Sequence, residues 1–526
     1  MNPARTNFHH LLSQAAAATP GSPALTYREV TVGYAEAWRR TLAAASQLRG
    51  IGLEPGDRVA VYLEKRIETV VAFFAASAAG GVFVPVNHVL KAAQVGHILI
   101  DSGARVLVTS VDRLGQLSEV LPGTRVEHVI VVGGAPPAAV GTAWSVHRWP
   151  GDGDGLDQAV IDPAPAAIDL DPAAILYTSG STGRPKGVVL SHRNLIAGAE
   201  SVSTYLGNTG DDVILSVLPL SFDAGLSQVT TAFAVGAHCV LVNYLLPREV
   251  PKLCERYGVT GLTCVPPLWL QLADVPWPAA AAARVRYWAN TGGRMPRPTL
   301  DRLRAIFAGA DPYLMYGLTE AFRSTYLDPS EVDRRPDSIG KAVPNAEVLV
   351  LRPDGTRCVA GEEGELVHRG ALVALGYWND PVRTAERFRP VVHPDEPWRA
   401  PERAVWSGDT VVADEAGFLY FVGRRDEMIK TSGYRVSPSE IEEAAYGTGL
   451  VRDAVATGVE DPALGQRIVL SVTPVERELD VDALTAALRL VLPMYMVPSR
   501  IDVRDELPRS PNGKYDRRVL VSEVST

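Results

Sequence analysis

The stretch 177–188 limits what this chain can fold into and bind more than any other segment. It carries four Ser or Thr hydroxyls, three glycines and a single lysine, Lys186. Glycines let backbone N–H groups close around phosphate oxygens, hydroxyls donate further hydrogen bonds, and a lysine adds a positive charge. Gly187 stands where a Walker A loop would have the Ser or Thr that binds Mg²⁺. The stretch therefore predicts a phosphate-binding loop that is not a Walker A loop.

The residues on either side of this loop predict its place in the fold. The apolar run 173–176 predicts a strand before it, and residues 191–195 predict the start of a helix after it. An ordinary turn between a strand and a helix needs only a couple of small residues. A run of this length is far more specific than a turn.

Further motifs follow the loop along the chain. They lie at 218–225, 316–320, 407–410, 423–430 and 512–514. The loop and these motifs occur in the same order as in the adenylate-forming superfamily, and the chain therefore resembles its members. The superfamily includes acyl-CoA synthetases, the adenylation domains of peptide synthetases, and luciferases. The resemblance covers nearly the whole chain. It implies an enzyme that uses ATP to activate a carboxylic acid.

Length and pattern predict an α/β fold with more than one domain. The chain has 526 residues, more than one hydrophobic core usually supports. Alternating helical and strand patterns predict parallel α/β sheets in a large core domain, 1–425, and short strands predict a small barrel-like subdomain at 339–421. Residues 426–526 predict a small α+β domain. In the resembling family this domain is a mobile C-terminal lid, and Asp426 occupies its hinge position.

Charge and composition exclude several classes of partner. A net charge of −9 and a pI near 5.7 argue against a general role on nucleic acid or at a membrane surface. The four cysteines form no Cys-x-x-Cys pair, so neither a zinc site nor a disulfide framework is expected. The first residues lack the apolar core of a signal peptide. We expect a cytoplasmic protein without a membrane span.

The resemblance implies a set of residues for ATP and Mg²⁺. Tyr316 would lie against adenine, Asp409 would accept hydrogen bonds from the ribose hydroxyls, and Arg424 would donate nearby. Thr319 would contact the α-phosphate and Glu320 would hold Mg²⁺. The β- and γ-phosphates would be held by the loop residues Thr178, Ser179, Gly180, Ser181, Thr182, Gly183 and Lys186.

Two lysines near the C-terminus are implied to act in different steps. Lys514 follows an Asn-Gly turn, which projects a side chain from a tight loop. The family uses this lysine to bridge the carboxylate and the α-phosphate during adenylation. Lys430 and Gly433 match positions that face the active site in the second, thioester-forming arrangement of the lid.

The substrate pocket is predicted to carry charge. Asp223 matches the aspartate that pairs with the substrate ammonium in amino-acid-activating members of the family. Arg323 suits a second substrate carboxylate bound through two hydrogen bonds, and Thr291, ahead of Gly292 and Gly293, could donate to the same group. These residues predict an amino dicarboxylic acid. Asp223 and Arg323 could instead pair with each other and leave a neutral pocket.

Two groups within the superfamily give the nearest resemblance. They are the stand-alone ligases that load β-amino acids onto carrier proteins in macrolactam pathways, and the AMP-forming ligases associated with exosortase clusters. The first group implies aspartate-like amino acids and transfer to the 4′-phosphopantetheine of a discrete acyl carrier protein. Coenzyme A is the other thiol that would serve. An AMP-forming acyl-CoA ligase for another carboxylic acid, an oxidative luciferase-type enzyme and a catalytically silent adenylation-like binding protein are the alternatives.

Overall fold

The structure is a computed structural model. It describes residues 5–134, 144–151, 167–178, 185–244, 246–391, 398, 400–424, 428–475, 478–508 and 515–524, without the side chains of Arg424, Ser439 and Arg518. Ser179, Gly180, Ser181, Thr182 and Gly183 of the predicted phosphate loop lie outside the described residues. So do the predicted hinge Asp426 and the predicted catalytic Lys514.

The described elements alternate between helices and strands through most of the chain. The helices are α1 His10–Ala18, α2 Tyr34–Gly50, α3 Ile67–Ala78, α4 Ala92–Ser102, α5 Val111–Gln116, α6 His192–Tyr205, α7 Asp223–Val235, α8 Glu249–Tyr257, α9 Pro266–Ala273, α10 Ala279–Arg284, α11 Arg297–Ile306, α12 Pro381–Arg387, α13 Pro438–Gly447, α14 Val481–Val491 and α15 Arg517–Val524. The strands are β1 Pro23–Tyr27, β2 Val30–Gly33, β3 Arg58–Tyr62, β4 Val82–Pro85, β5 Val106–Ser110, β6 His128–Val132, β7 Ser145–Arg148, β8 Pro172–Thr178, β9 Lys186–Ser191, β10 Val213–Ser216, β11 His238–Leu241, β12 Gly261–Cys264, β13 Tyr287–Asn290, β14 Asp311–Tyr316, β15 Thr325–Leu327, β16 Ser338–Ala342, β17 Ala346–Leu351, β18 Glu363–Gly370, β19 Gly376–Tyr377, β20 Phe388–Val391, β21 Glu402–Ala413, β22 Leu419–Arg424, β23 Ile429–Thr431, β24 Tyr434–Val436, β25 Val451–Asp461, β26 Gly465–Pro474 and β27 Arg500–Val503.

Two large sheets carry most of the chain. The first has 14 strands, and its strands β1, β11, β10, β12, β13 and β14 run parallel. The second has eight strands in the order β19, β9, β8, β4, β3, β5, β6, β7. The largest buried cluster joins residues of both sheets through α1, α3, α6 and α7. The mixed α/β fold agrees with the sequence-based prediction.

Antiparallel strands from 338–424 extend the first sheet. They follow the order β17, β18, β21, β22, β16, with β20 beside β21. Among the described strands, β17 pairs with β18 alone, so β17 is an edge strand of the sheet. The short strands predicted for 339–421 are therefore present as an antiparallel continuation of the parallel sheet.

The element directly after the phosphate loop is a strand, where the sequence predicted a helix. The chain returns in β9, which pairs antiparallel with β8 so that Thr178 faces Lys186. Helix α6 begins only after this second strand, where the Ser191 hydroxyl accepts from the Asn194 backbone N–H at 3.1 Å. The loop is therefore a hairpin connection, because the apolar run 188–190 pairs with β8 before the helix starts.

The C-terminal residues form a separate five-stranded sheet. Its order is β24, β23, β26, β25, and β27 pairs with β26. Helix α13 begins at Pro438, a residue that suits the first position of a helix, while Ser437 before it makes no side-chain capping hydrogen bond. Val436, Ile441 and Leu470 belong to a buried cluster formed within this part of the chain. A small C-terminal α+β unit with its own core is therefore present.

Candidate active site

The parallel strands of the first sheet end at one edge, where the predicted site residues gather. Asp223 follows β10, Thr291 follows β13 directly, and Tyr316 is the last residue of β14. Ligands of open α/β sheets bind outside the carboxyl ends of parallel strands. The fold therefore brings motifs that are far apart in sequence to one edge of the sheet.

Lys186, Glu320 and Tyr377 form a closed network of hydrogen bonds. Lys186 Nζ lies 3.2 Å from Glu320 Oε1 and 2.6 Å from the Tyr377 hydroxyl oxygen. The Tyr377 hydroxyl also lies 2.6 Å from Glu320 Oε1. The phosphate-loop lysine and the predicted magnesium ligand are thus in direct contact. Tyr377, on β19, joins them and was not among the residues predicted from the sequence.

Glu320 is buried, and the surrounding cations keep it ionised. Burial alone raises the pKa of its carboxyl group, but Lys186, Arg387 and Arg435 together hold the pKa well below its usual range. Its second oxygen, Oε2, is buried without a hydrogen-bond partner. Mg²⁺ prefers carboxylate oxygens and keeps several waters, so this anionic oxygen fits a magnesium ion bound together with ATP phosphates. The described residues contain no cluster of three or more His, Cys, Asp or Glu side chains that could hold a metal by themselves.

Tyr316 and Asp409 form the candidate nucleoside site. The Tyr316 hydroxyl donates to Asp409 Oδ2, and Asp409 is 2% exposed. Asp409 lies on β21 directly opposite Arg424 of β22. Phe421, also on β22, has its ring 6.5 Å from that of Tyr316. An aromatic side chain beside a buried carboxylate suits a nucleoside, because one can stack on the base while the other accepts from the ribose.

A strained turn connects the nucleotide site to the substrate pocket. Thr319 and Glu320 open a short 3₁₀ turn, and Phe322 follows with φ 55° and ψ −52°. The Arg323 backbone N–H donates to the Ala321 carbonyl oxygen at 2.5 Å, so residues 321–323 form a γ-turn with Phe322 at its centre. The positive φ of Phe322 makes this the classic γ-turn, the rare and strained type. A Cβ at Gly198 would lie only 2.5 Å from the Phe322 ring. Strained residues of this kind cluster at functional sites, and here the turn is followed directly by Arg323.

Arg323, Asp223 and Thr291 come together in the pocket. Arg323 Nη1 donates to the Thr291 hydroxyl at 2.8 Å and lies 4.0 Å from Asp223 Oδ2. Arg323 is 2% exposed, and its Nε is buried without a hydrogen-bond partner. Burial raises the pKa of Asp223, while the Arg323 charge and backbone N–H groups at the start of α7 oppose this rise. The three predicted polar residues therefore share one buried site.

Gly292 and Gly293 shape the backbone beside this site. Gly292 has φ 78°, and a Cβ there would lie 3.2 Å from Val265 Cγ1. A Cβ at Gly293 would lie 3.1 Å from Pro266 Cγ. Both glycines thus permit close packing of the segment after β13 on the segment after β12.

The C-terminal unit contacts the pocket through the loop after β23. A Cβ at Gly433, which has φ 81°, would lie 2.8 Å from Val265 Cγ2. The Tyr434 ring meets the Phe222 ring edge to face at 5.5 Å between centroids. Lys430 Nζ lies 5.4 Å from the centre of the Phe421 ring. Lys430 and Gly433 therefore both lie where the C-terminal unit meets the large sheets.

Three residues around Glu320 were not predicted from the sequence. They are Tyr377 on β19, Arg387 at the end of α12 and Arg435 on β24. No local pattern distinguishes these side chains from ordinary surface arginines and tyrosines. Only the tertiary fold brings all three to Glu320.

Comparison with known proteins identifies the family. Residues 12–378 match the model of AMP-binding enzymes, and residues 440–514 match that of the AMP-binding enzyme C-terminal domain. This chain belongs to the AMP-binding enzyme family. It is an adenylate-forming enzyme, an AMP-forming acid–thiol ligase. ATP and a thiol, either coenzyme A or phosphopantetheine, are the co-substrates of such ligases.

Three curated relatives show the range of this family. A long-chain-fatty-acid–CoA ligase of Salmonella typhimurium is 30% identical over 100% of this chain and 96% of its own length. A feruloyl-CoA synthase of Amycolatopsis sp is 32% identical over 96% of each chain. A phenyloxazoline synthase of Mycobacterium sp. is 31% identical over 98% of this chain and 42% of its own, longer chain.

Two solved structures of one enzyme differ in how well they match. The enzyme is the o-succinylbenzoate CoA synthetase of Bacillus subtilis, 26% identical to this chain in both comparisons. A double mutant bound to the product analogue OSB-NCoA gives a TM-score of 0.80 over 98% of each chain. The complex with the acyl-adenylate OSB-AMP gives 0.66 over 97% of each chain.

In the described part of the chain, no helix is both long enough and apolar enough to cross a membrane.

The four cysteines are free thiols. Three of them are buried and Cys358 is partly buried; the buried ones are Cys239, Cys254 and Cys264.

Proposed function

We propose that this enzyme adenylates a small amino dicarboxylic acid with Mg²⁺-ATP and then transfers it to the phosphopantetheine thiol of a discrete carrier protein. AMP and pyrophosphate are the other products. The observation that carries the substrate proposal is the buried set of Arg323, Asp223 and Thr291.

The loose contact between Arg323 and Asp223 leaves both groups able to bind a ligand beside them. Their 4.0 Å contact is longer than the 2.7–2.9 Å of a charge-assisted hydrogen bond. Buried charges normally acquire close partners, because an uncompensated charge is costly. Arg323 Nε has none. An ammonium beside Asp223 and a carboxylate beside Arg323 would satisfy both groups.

The spacing also indicates how the two substrate charges are arranged. Because Arg323 and Asp223 are only 4.0 Å apart, the substrate ammonium and carboxylate that they bind must be close neighbours. An amino group and a carboxylate on the same carbon meet this requirement. The carboxylate to be activated would then be the other one, directed towards Glu320 and Lys186.

Little free space lies behind Arg323. The cavity that Arg323 lines with Val202, Leu206, Ala224 and Met315 measures about 10 Å³. A cavity of this size holds at most one water molecule. A long acyl chain would therefore require the surrounding side chains to move.

The residues around Glu320 and Asp409 support the nucleotide roles. Glu320 would hold Mg²⁺ through Oε2, Lys186 would pair with phosphate, and Thr319 would contact the α-phosphate. Tyr316 and Asp409 would bind adenosine, with Arg424 nearby. Lys514 is proposed to join the reacting carboxylate and the α-phosphate, and Asp426 to act as the hinge, on the sequence motifs alone. Cations and preorganised donors around the α-phosphate offset the repulsion between the two anions.

The contacts of Gly433 and Tyr434 support a second arrangement of the C-terminal unit, the one used for thioester formation. This chain matches the product-analogue complex of the o-succinylbenzoate enzyme better than its acyl-adenylate complex, 0.80 against 0.66. Arg435 lies on the same strand as Tyr434 and adds its charge at Glu320. In this arrangement Arg435 would stabilise the phosphate of the departing AMP, and Lys430 would face the active site, as its motif position implies.

A screen of pyrophosphate release over amino, dicarboxylic, aryl and fatty acids tests the substrate. Amino dicarboxylic acids should be preferred over the matching monocarboxylic amino acids. Preference for a fatty or aryl acid would overturn the proposal. It would favour the second candidate, an acyl-CoA ligase for another acid, to which the 30–32% identity to two CoA ligases points. A catalytically silent protein is disfavoured by the intact Lys186–Glu320–Tyr377 network.

A further inference from the structure

An exposed apolar surface lies at the end of α14, close to the interface between the C-terminal unit and the large sheets. Leu490 is 78% exposed, Met494 is 69% exposed and Val491 is 46% exposed. They lie within five consecutive positions, next to the exposed Arg489. We call Arg489, Leu490, Val491 and Met494 the α14 surface. Clustered apolar side chains on a surface often mark a protein contact.

A ladder of aromatic rings connects the α14 surface to the substrate pocket. Tyr495 follows Met494 and stacks on Tyr434 with centroids 3.8 Å apart and planes 10° apart. Tyr434 in turn meets Phe222 at 5.5 Å. Phe222 immediately precedes Asp223, the proposed ammonium ligand. The α14 surface therefore adjoins the contact between the C-terminal unit and the segment that carries Asp223.

A second contact fixes the same interface. Gln94 Nε2 of α4 donates to Glu440 Oε1 of α13 at 3.3 Å. Glu440 also lies close enough to Tyr495 to influence its pKa. Val89, five residues before Gln94, is 37% exposed. An exposed apolar side chain, Val89, thus also lies on the other side of this interface.

We infer that the α14 surface is the docking site of the carrier protein that delivers the thiol. This inference rests on the proposed function, because it assumes that a carrier and not coenzyme A is the acceptor. Carrier proteins present acidic helices, and Arg489 has no ion-pair partner among the described residues. An apolar contact with a basic neighbour is complementary to such a partner. A free pantetheine or coenzyme A molecule would not need this surface.

Leu490→Glu and Met494→Glu test the inference, with Val382→Glu on α12 as the matched control. Val382 is 68% exposed and lies outside the ladder. Acyl transfer would be measured to holo-carrier proteins from the organism's own genes and, in parallel, to free pantetheine and coenzyme A. The acid would be whichever one the wild type activates best. Thermal melting would check that each variant folds.

The two α14 variants should lower kcat/KM for the carrier at least about tenfold, the usual size of an interface hot-spot effect. Pyrophosphate release and transfer to free pantetheine should stay within about twofold of the wild type, and Val382→Glu should behave as the wild type throughout. Unchanged carrier transfer in both variants would overturn the docking site. Equal loss of carrier and pantetheine transfer would overturn it too, because the variants would then have damaged the lid itself.

The outcome with the wild type separates this inference from the substrate proposal. Transfer to coenzyme A and to none of the carriers would overturn the docking site and the carrier acceptor, while adenylation of the amino dicarboxylic acid would stand. Carrier transfer of another class of acid, lost in the α14 variants, would support the docking site and overturn the substrate proposal. Self-association lost in the same variants, with normal carrier transfer, would assign the surface to a second copy of this chain.

Discussion

Arg323 Nη1 and Asp223 Oδ2 lie 4.0 Å apart inside the pocket, while the same nitrogen donates a hydrogen bond to the Thr291 hydroxyl at 2.8 Å. The guanidinium is therefore held by a neutral hydroxyl, while the opposite charge stays beyond hydrogen-bond distance. An internal ion pair that served only to stabilise the fold would be expected to close. This geometry leaves one cation and one anion poised to bind a ligand that carries both charges.

Arg323→Ala should reduce kcat/KM for amino dicarboxylic acids by about two to four orders of magnitude. Removing one member of a buried pair costs about 3–5 kcal/mol, and a tenfold change in rate corresponds to about 1.4 kcal/mol. Activity towards a monocarboxylic amino acid such as 3-aminobutyrate should persist or rise. Pyrophosphate release with both acids is the measurement. A uniform loss for all acids would mean that Arg323 and Asp223 form an internal pair.

Asp223→Ala is the complementary change. It should damage every amino substrate, dicarboxylic or not, because all of them share the ammonium. Desamino dicarboxylic acids should lose less activity than their amino counterparts. If the wild type already uses both kinds equally well, Asp223 does not bind an ammonium.

Glu320→Gln should lower adenylation at least about a hundredfold by removing the anionic oxygen proposed to bind Mg²⁺. Glutamine keeps the size of the side chain and can still accept from Tyr377, but it removes the negative charge that Lys186, Arg387 and Arg435 face, so the thermal midpoint should also fall. The ATP–pyrophosphate exchange rate, measured against Mg²⁺ concentration, checks this. An unchanged half-saturating Mg²⁺ concentration with a normal rate would contradict the assignment.

Sequence patterns predicted the fold class because it depends on local signals. The apolar run 173–176, which forms β8, and the alternation of helical and strand patterns can both be recognised without the structure. The hairpin of β8 and β9 was missed, since residues 186–188, the first half of β9, were assigned to the loop. Pairing with β8, a tertiary interaction, makes these residues a strand.

The site residues that belong to recognisable sequence motifs could be predicted, and those outside such motifs could not. Asp223, Thr291 and Arg323 were expected to share a pocket, and the structure brings them together. Tyr377, Arg387 and Arg435 were not expected, because each reaches Glu320 from a different element. Whether Arg323 and Asp223 are in direct contact is a matter of a single ångström, and no sequence pattern determines such a distance.

Lys514→Ala should abolish adenylation and leave a folded protein, because the family uses this lysine only at the reacting centre. Thioester formation from a pre-made acyl-adenylate should largely survive, since that step uses the other arrangement of the lid. The two half-reactions would be measured separately. Near-normal pyrophosphate release by the variant would refute the role of Lys514.

Tyr434→Ala should slow thioester formation about tenfold and leave adenylation nearly unchanged. The ring joins Tyr495 to Phe222 only when the C-terminal unit is docked, and aromatic pairs contribute about 0.5–1.5 kcal/mol each. Tyr434→Phe keeps the ring and is the matched control, so it should behave as the wild type. Equal losses in both half-reactions, or no rescue by phenylalanine, would show that the ladder does not hold the docked arrangement.

Glu440 should make docking of the C-terminal unit depend on pH. Burial raises the pKa of Glu440 to about 7, the hydrogen bond from Gln94 of α4 opposes this rise, and the charge of Glu443 adds to it. When the unit is undocked the carboxyl is expected to titrate near its ordinary value of 4.5. Between these values the docked state binds more protons, so docking is most favourable at low pH and loses this contribution as pH rises to about 7.

The ratio of the rate of thioester formation to the rate of adenylation should therefore include a contribution from Glu440 that falls as pH rises to about 7. Glu440→Gln keeps the hydrogen bond to Gln94 but cannot ionise, so it should lose this component. Thiol ionisation affects the wild type and the variant equally, and dividing one pH profile by the other removes it. The quotient of wild type over variant should decline to a plateau above pH 7. A quotient that stays flat with pH would show that Glu440 does not link protonation to docking.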